Sequence, residues 1–327
     1  MSNKLLPASF LALAALAVGK HHSASAAAPA ANPIATLRSA STPQSTGSFP
    51  DSWIAGLDCD GDPQIQVHAY NEDTFILRQS KCDTFEAPFM YLLFGDDFAL
   101  LLDTGAAPSS PVEPTVRNLI RRRASQTGLP PVPLVVGHTH GHFDHIASDS
   151  QFMGLPYVAG VVASSGPNAT AAYGFSDYPF DSQELDLGGR VLDVLGSPGH
   201  FPSELSFYDR NTQLLLTGDI VYPGHLFVFS PNAWPDFVAS LERLVEFAST
   251  HPVQWLLGCH IETSNTPFEP FAYATVAHPN EHQLQLDPSF LQDVLDAALE
   301  QNGDPECTIY EEFVIHPVYK CGILWNG

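Results

Sequence analysis

Val135-Val136-Gly137-His138-Thr139-His140-Gly141-His142-Phe143-Asp144-His145 is a short apolar run that breaks into a dense set of metal-type side chains. Leu134-Val135-Val136 has the composition of a short buried strand. His140, His142, Asp144 and His145 follow it directly. Imidazole nitrogen and carboxylate oxygen are the ligand types that divalent ions such as zinc favour. A tight loop would turn His140 and His142 towards one ion, and Asp144 and His145 towards a neighbouring one. A polar loop that merely satisfies its own hydrogen bonds would explain a lone histidine, but not four such side chains at this spacing. His138, one step earlier, is expected to point the other way along the strand.

Outward from this loop, residues 64–70 alternate apolar and polar, and residues 74–78 are β-prone. Residues 89–94 and 99–102 are apolar runs separated by the turn Gly95-Asp96-Asp97, which predicts a series of antiparallel strands. A helix is predicted next, with Ser110 as N-cap, Pro111 at its first position and Val116, Leu119 and Ile120 as its apolar stripe. The basic run Arg121-Arg122-Arg123 is placed at that helix's end, where cations meet the negative pole of the macrodipole. Downstream, residues 191–195, 205–208, 214–216 and 255–257 read as strands, and residues 232–249 as an amphipathic helix burying Phe237, Leu241, Leu244 and Val245. A last helix is predicted over 288–300. Strands come first and then alternate with helices, which is the order of a layered α/β (α+β) sandwich in one domain, residues 51–327.

Bulk properties narrow the function. With 44% hydrophobic residues the chain affords a sizeable core, and with 36 acidic against 13 basic residues it repels phosphate backbones. Nucleic acid and acidic membranes are therefore poor partners, and a small-molecule substrate is expected. Lys4 precedes an apolar stretch over 5–18, the length of a signal-peptide core, and Ala24-Ser25-Ala26 offers a cleavage site. This predicts a signal peptide over 1–26, cleavage near Ala26 and export to a periplasm or the medium. Residues 27–50, rich in Ala, Pro, Ser and Thr, read as a flexible linker. No later stretch is long and apolar enough to span a bilayer. Of five cysteines, Cys59–Cys82 and Cys307–Cys321 are the expected disulfides because each closes a short local loop. Cys259 is left free, and strand alternation turns it away from the neighbouring His260.

His140-x-His142-x-Asp144-His145 resembles the signature of the metallo-β-lactamase superfamily. Other segments are similar to that family's further motifs, in the family's order: Leu101-Leu102-Asp103-Thr104-Gly105, Ser197-Pro198-Gly199-His200, Thr217-Gly218-Asp219 and Gly258-Cys259-His260. The resemblance implies a four-layer αββα sandwich with two divalent metal ions at one edge. Zinc is the first choice, with iron or manganese as alternatives. It assigns His140, His142 and His200 to one ion, Asp144, His145 and His260 to the other, and Asp219 to the bridge between them. Asp103 would hydrogen-bond the metal loop from behind. Two metals about 3.5–4 Å apart can share a hydroxide at neutral pH that attacks an electrophilic carbonyl. Asp144 would orient that nucleophile or shuttle a proton, and Tyr222, three residues after Asp219, is a candidate to reach the substrate carbonyl or else a packed aromatic.

Asp219 weakens the likeness to true β-lactamases, which generally lack an aspartate there, and favours ester, lactone or thioester hydrolysis. β-Lactam and phosphodiester hydrolysis are the alternatives on the same ligands, and an iron-dependent oxidoreductase is the alternative from another class. A retired, non-catalytic scaffold would have lost ligands, and none is missing. Loops around the ligands depart from the commoner family patterns at Ile146-Ala147-Ser148, Phe201-Pro202-Ser203-Glu204 and Cys259-His260-Ile261. Phe143 and Phe201 are expected as pocket walls, His225 as a surface-loop residue, and Asn168-Ala169-Thr170 is a glycosylation sequon.

Overall fold

Successive strand residues face opposite sides of a sheet, so a strand buried throughout needs a cover on both faces. β2 (Thr74–Gln79), β3 (Phe89–Phe94) and β4 (Ala99–Leu102) are buried at every position. In the computed structural model, which describes residues 47–323, both covers are present. The predicted signal peptide and most of the predicted linker lie outside the described residues.

The first sheet runs β1 (Ile65–Asn71), β2, β3, β4, β5 (Leu134–Gly137), β6 (Val158–Val161), antiparallel up to β4 and parallel from β4 onward. β7 (Ser182–Asp186), β8 (Val191–Gly196), β9 (Leu205–Asp209) and β10 (Leu214–Gly218) form an antiparallel second sheet. β11 (His225–Val228) leaves for a small third sheet, while β12 (Trp255–Gly258) pairs parallel with β10 and β13 (Gln285–Leu286) lies along β12. β14 (Thr308–Ile309) and β15 (Val314–Pro317) complete the third sheet, β15 parallel to β11.

Alternation sorts the leucines into layers. Leu100 and Leu102 of β4 meet Leu214 and Leu216 of β10 in a core between the two large sheets. Leu101 points the opposite way, with Leu77 and Val136, onto Val116, Leu119 and Ile120 of α1 (Val112–Thr127). Two shorter helices follow, α2 (Phe143–Ile146) and α3 (Gly166–Ala172). Leu215 of β10 faces the other flank, where α4 (Trp234–Thr250) and α5 (Phe290–Glu300) bury Phe237, Leu241, Leu244, Leu291 and Val294. The order is therefore αββα, as the resemblance implied.

Small differences from the expected elements have local causes. Pro111 is the N-cap of α1 rather than its first position, and the Ser110 hydroxyl bonds Asp83 instead of capping. α1 continues to Thr127 beyond the basic run, and Arg123 pairs with Asp73 at 2.6 Å over the Phe94 ring. His225 is not a surface-loop residue: it lies on β11, 1% exposed, with its Nδ1 3.0 Å from Nδ1 of His316 on β15. Both expected disulfides are present, Cys59–Cys82 and Cys307–Cys321, and Cys259 is free and buried.

One buried ion pair ties the sheets together. Arg190, 2% exposed, donates to both oxygens of Asp209 (2.6 and 3.2 Å), to the carbonyls of Asp73 and Phe94 (2.6 and 3.3 Å) and to the Thr74 hydroxyl (2.8 Å). Removing the cation leaves Asp209 buried and uncompensated, which costs about 3–5 kcal/mol. Arg190→Met is expected to lower the urea midpoint accordingly. Arg117→Ala, at the half-exposed pair with Glu113 (3.3 Å), is expected to shift it by less than about 1 kcal/mol.

Candidate metal centre

The ligands arrive from strands that end at one edge of the sandwich. Asp103 follows β4, the loop 138–145 follows β5, His200 follows β8, Asp219 follows β10 and His260 follows β12. The parallel pairs β4–β5 and β10–β12 place four of these ends side by side. Gly199 has φ +150, and a Cβ there would lie 2.5 Å from the Cα of Phe237, so only glycine lets His200 pass this close to α4.

Two donor sets form. In the first, Nδ1 of His142 lies 3.0 Å from Nε2 of His140 and 2.8 Å from Nε2 of His200. In the second, Oδ2 of Asp144 lies 3.3 Å from Nε2 of His145 and 3.2 Å from Nε2 of His260. Oδ2 of Asp219 reaches both sets: it is 3.3 Å from Nε2 of His145 and of His260, 3.6 Å from that of His200 and 3.9 Å from that of His140. The structure thus brings together all seven residues proposed as ligands from the sequence.

These sets have the chemistry of cation ligands. Four of the five imidazoles spend their other nitrogen on an acceptor, which frees the inward one. His140 donates from Nδ1 to the Thr139 hydroxyl (3.1 Å), His145 to Asp103 (3.0 Å), His200 to the Phe227 carbonyl (3.0 Å) and His260 to the Glu86 carbonyl (3.1 Å). Nε2 of His145 and Oδ1 of Asp219 are buried without a hydrogen-bond partner, a costly arrangement unless an ion answers them. Burial holds His140 and His142 below the ordinary histidine range and pushes His200 down to about 4, so these three are neutral, as metal ligands must be. Burial pushes His145 and His260 down, but the carboxylates of Asp144 and Asp219 outweigh it and hold both above the ordinary histidine range; burial likewise pushes Asp219 up, but these two imidazoles outweigh it and leave its carboxyl well below the usual carboxylate range, so an ion at the second set would displace their protons. The residues present therefore fit two divalent ions.

Asp103 stands behind both sets. Its backbone is left-handed (φ 66), its Oδ1 accepts the Thr139 N–H at 2.8 Å, and its Oδ2 accepts the Thr139 hydroxyl at 2.8 Å and Nδ1–H of His145. Through Thr139 it also fixes the tautomer of His140. Cys259 is turned from both donor sets around Asp219, as alternation required, and its Sγ lies 3.5 Å from Asp103. His138 likewise points away, to Asp149 at 3.0 Å.

Glu204 is the residue that sequence reasoning missed. Fully buried, it accepts the backbone N–H of Asp219 at 2.8 Å and that of Phe201 at 3.2 Å, joining the loop that carries Asp219 to the loop that carries His200. Burial pushes its carboxyl well above the usual range. The only sequence signal was that it fell within a departure from the family pattern. Tyr222 takes the packed alternative: it is 1% exposed, and its hydroxyl donates to the His225 carbonyl and lies 3.1 Å from Glu262. Phe201 does line the site, its ring 4.8 Å from that of His142, whereas Phe143 is 66% exposed.

The family profile described as the metallo-beta-lactamase superfamily matches residues 83–249, just over half of the 327, and the chain belongs to that superfamily. It is a metal-dependent hydrolase. A curated relative, acyl-coenzyme A thioesterase MBLAC2 of Bos taurus, is 26% identical over 203 residues, 53% of this chain and 73% of the relative. Hydroxyacylglutathione hydrolase of Chelativorans sp. (strain BNC1) is 24% identical over 244 residues, 71% of this chain and 86% of that protein. Among solved structures, a metallo-beta-lactamase from Pontibacter korlensis superposes with a TM-score of 0.46 at 18% identity, covering 73% of this chain and 100% of that one.

Asp103→Ala removes the acceptor that orients His145 and, through Thr139, His140; loss of such a partner costs about 10–100-fold in metal affinity. Competition against a chromogenic chelator is expected to show a loss of that size. Glu204→Ala leaves two buried N–H groups without an acceptor and is expected to weaken metal retention in the same assay, with Glu204→Gln, which keeps one acceptor, in between.

Proposed function

We propose that the protein is an exported, dinuclear hydrolase that cleaves an ester-type carbonyl, whether ester, lactone or thioester. The observation that carries this reading is the position of Asp219 Oδ2, within 3.3–3.9 Å of ligand nitrogens in both donor sets. A carboxylate so placed would serve two adjoining ions rather than one. Metal ions held there supply Lewis acidity towards a carbonyl oxygen and acidify water at neutral pH. Asp144, with Oδ2 turned into the second set, is the carboxylate beside the reacting water, where it orients it and takes its proton. Phe201 and Phe229, whose rings lie 4.8 and 5.2 Å from that of His142, give the first set an apolar flank. Two disulfides support the reading of an exported chain, because such bonds persist in oxidising compartments.

The test is a panel of aryl esters, lactones, thioesters, phosphodiesters and a chromogenic β-lactam, with metal-free protein reloaded with zinc, iron or manganese. Metal-dependent turnover of a carbonyl ester class is expected, falling at least about 100-fold in Asp219→Ala. Turnover confined to the β-lactam or the phosphodiester would replace the substrate class. Silence with zinc but oxygen-dependent chemistry with iron would overturn the hydrolytic reading.

A further inference from the structure

β11 carries a row of rings that ends at the metal centre. Side chains two apart on a strand share a face, and His225, Phe227 and Phe229 stack in turn. The first two ring centres are 5.7 Å apart at 14°, the last two 6.0 Å apart at 28°. Exposure climbs along the row, from 1% at His225 and 7% at Phe227 to 40% at Phe229. The row is pinned beside a ligand, because the Phe227 carbonyl accepts Nδ1–H of His200 at 3.0 Å. Phe229 therefore emerges with its ring 5.3 Å from that of His200 and 5.2 Å from that of His142, edge-on to both (71° and 72°).

Phe201 supplies a second ring. It stands 4.8 Å from His142 at 80° and 5.5 Å from His140. A Cβ at Gly141 would lie 3.2 Å from its Cζ, so glycine lets this ring settle directly on the metal loop. An isolated phenylalanine at the surface needs no functional explanation. Here two rings border the same ligand, His142, and the one left exposed is backed by stacked neighbours, so apolar surface is held open where a substrate must arrive. Small-molecule sites are built in this way, from apolar walls and a few polar groups that fix orientation. The polar groups are the donor sets around Asp219, and the apolar walls lie on the three-histidine side.

We propose that the substrate is an ester-type compound whose non-reacting portion is an uncharged alkyl or aryl group, seated on Phe229 and Phe201 beside the three-histidine set, with Phe229 setting the preference. This rests on the hydrolase reading above and narrows it. A methylene taken wholly out of water gains about fourfold in binding, and one laid against a single wall about half of that free energy, which is about twofold.

The test follows proton release by the zinc-loaded protein on homologues lengthened from methyl to hexyl, once on the acyl side and once on the leaving-group side, in whichever of the ester, lactone and thioester classes it turns over. In at least one series kcat/KM is expected to rise about tenfold over four methylenes, mainly through KM, because a wall binds substrate and transition state alike. A carboxylate or an ammonium at the end of the longest chain is expected to cancel that gain. Phe229→Ala should flatten the slope and Phe229→Leu, which keeps an apolar side chain, should retain it, with metal content checked in both. A purely structural role would lower all homologues alike and leave the slope unchanged. Flat or falling series in the unmodified protein, or a charged chain that outruns its apolar homologue, would overturn the proposal even if both variants failed to fold. A slope retained in folded, metal-loaded Phe229→Ala would overturn it as well. Turnover of no ester, lactone or thioester would overturn the hydrolase reading itself and this proposal with it.

Discussion

Nitrogen and oxygen lone pairs cannot face one another at close range in a buried site without a positive charge among them. Around Asp219, inward-facing nitrogens of His140, His142, His145, His200 and His260 converge with two carboxylates, and two of the inward atoms have no hydrogen-bond partner. Protons could answer some of these contacts, but His140, His142 and His200 are held neutral by their burial. Divalent ions would answer all of them. The rest of the molecule is arranged to hold these side chains in place while the sandwich around them stays apolar.

The arrangement is economical because each ligand loop begins where a buried strand ends. Strands β4 and β5 are fixed by packing on both faces, and Asp103 and the loop after β5 emerge in register, with Asp103 bonding the main chain of Thr139 across the gap. β10 and β12 do the same for Asp219 and His260. Glu204 then links across the second sheet, since its two oxygens hold the backbone beside His200 and that of Asp219. Stiffness at the edge therefore comes from two buried carboxylates, Asp103 and Glu204, neither of which belongs to a donor set around Asp219.

What was legible in the sequence follows from distance along the chain. The cluster at 140–145 was readable because its ligands are neighbours, and because the run before it is apolar. His200, Asp219 and His260 were readable because each follows a strand-like run within a family motif. Leu100, Leu101 and Leu102 announced a strand, but only packing shows that both of its faces are covered and which leucine meets which layer. Glu204 was opaque because its partners are backbone N–H groups, which carry no residue signature. β11 was hidden because Pro223-Gly224 precedes it and its partner β15 lies about 90 residues further along. That same pairing buries His225, which a local reading placed at the surface, and Tyr222 could not be assigned until its hydroxyl was seen committed to the His225 carbonyl.

The central claim is that Asp219 joins two ions. X-ray absorption on protein saturated with zinc measures it directly, because a second ion scatters at a defined distance from the first. Two bound ions per chain with a metal–metal vector of about 3.5–4 Å are expected, and Asp219→Ala should lose that vector. Saturation at a single ion, with no metal–metal scattering in the unmodified protein, would contradict it.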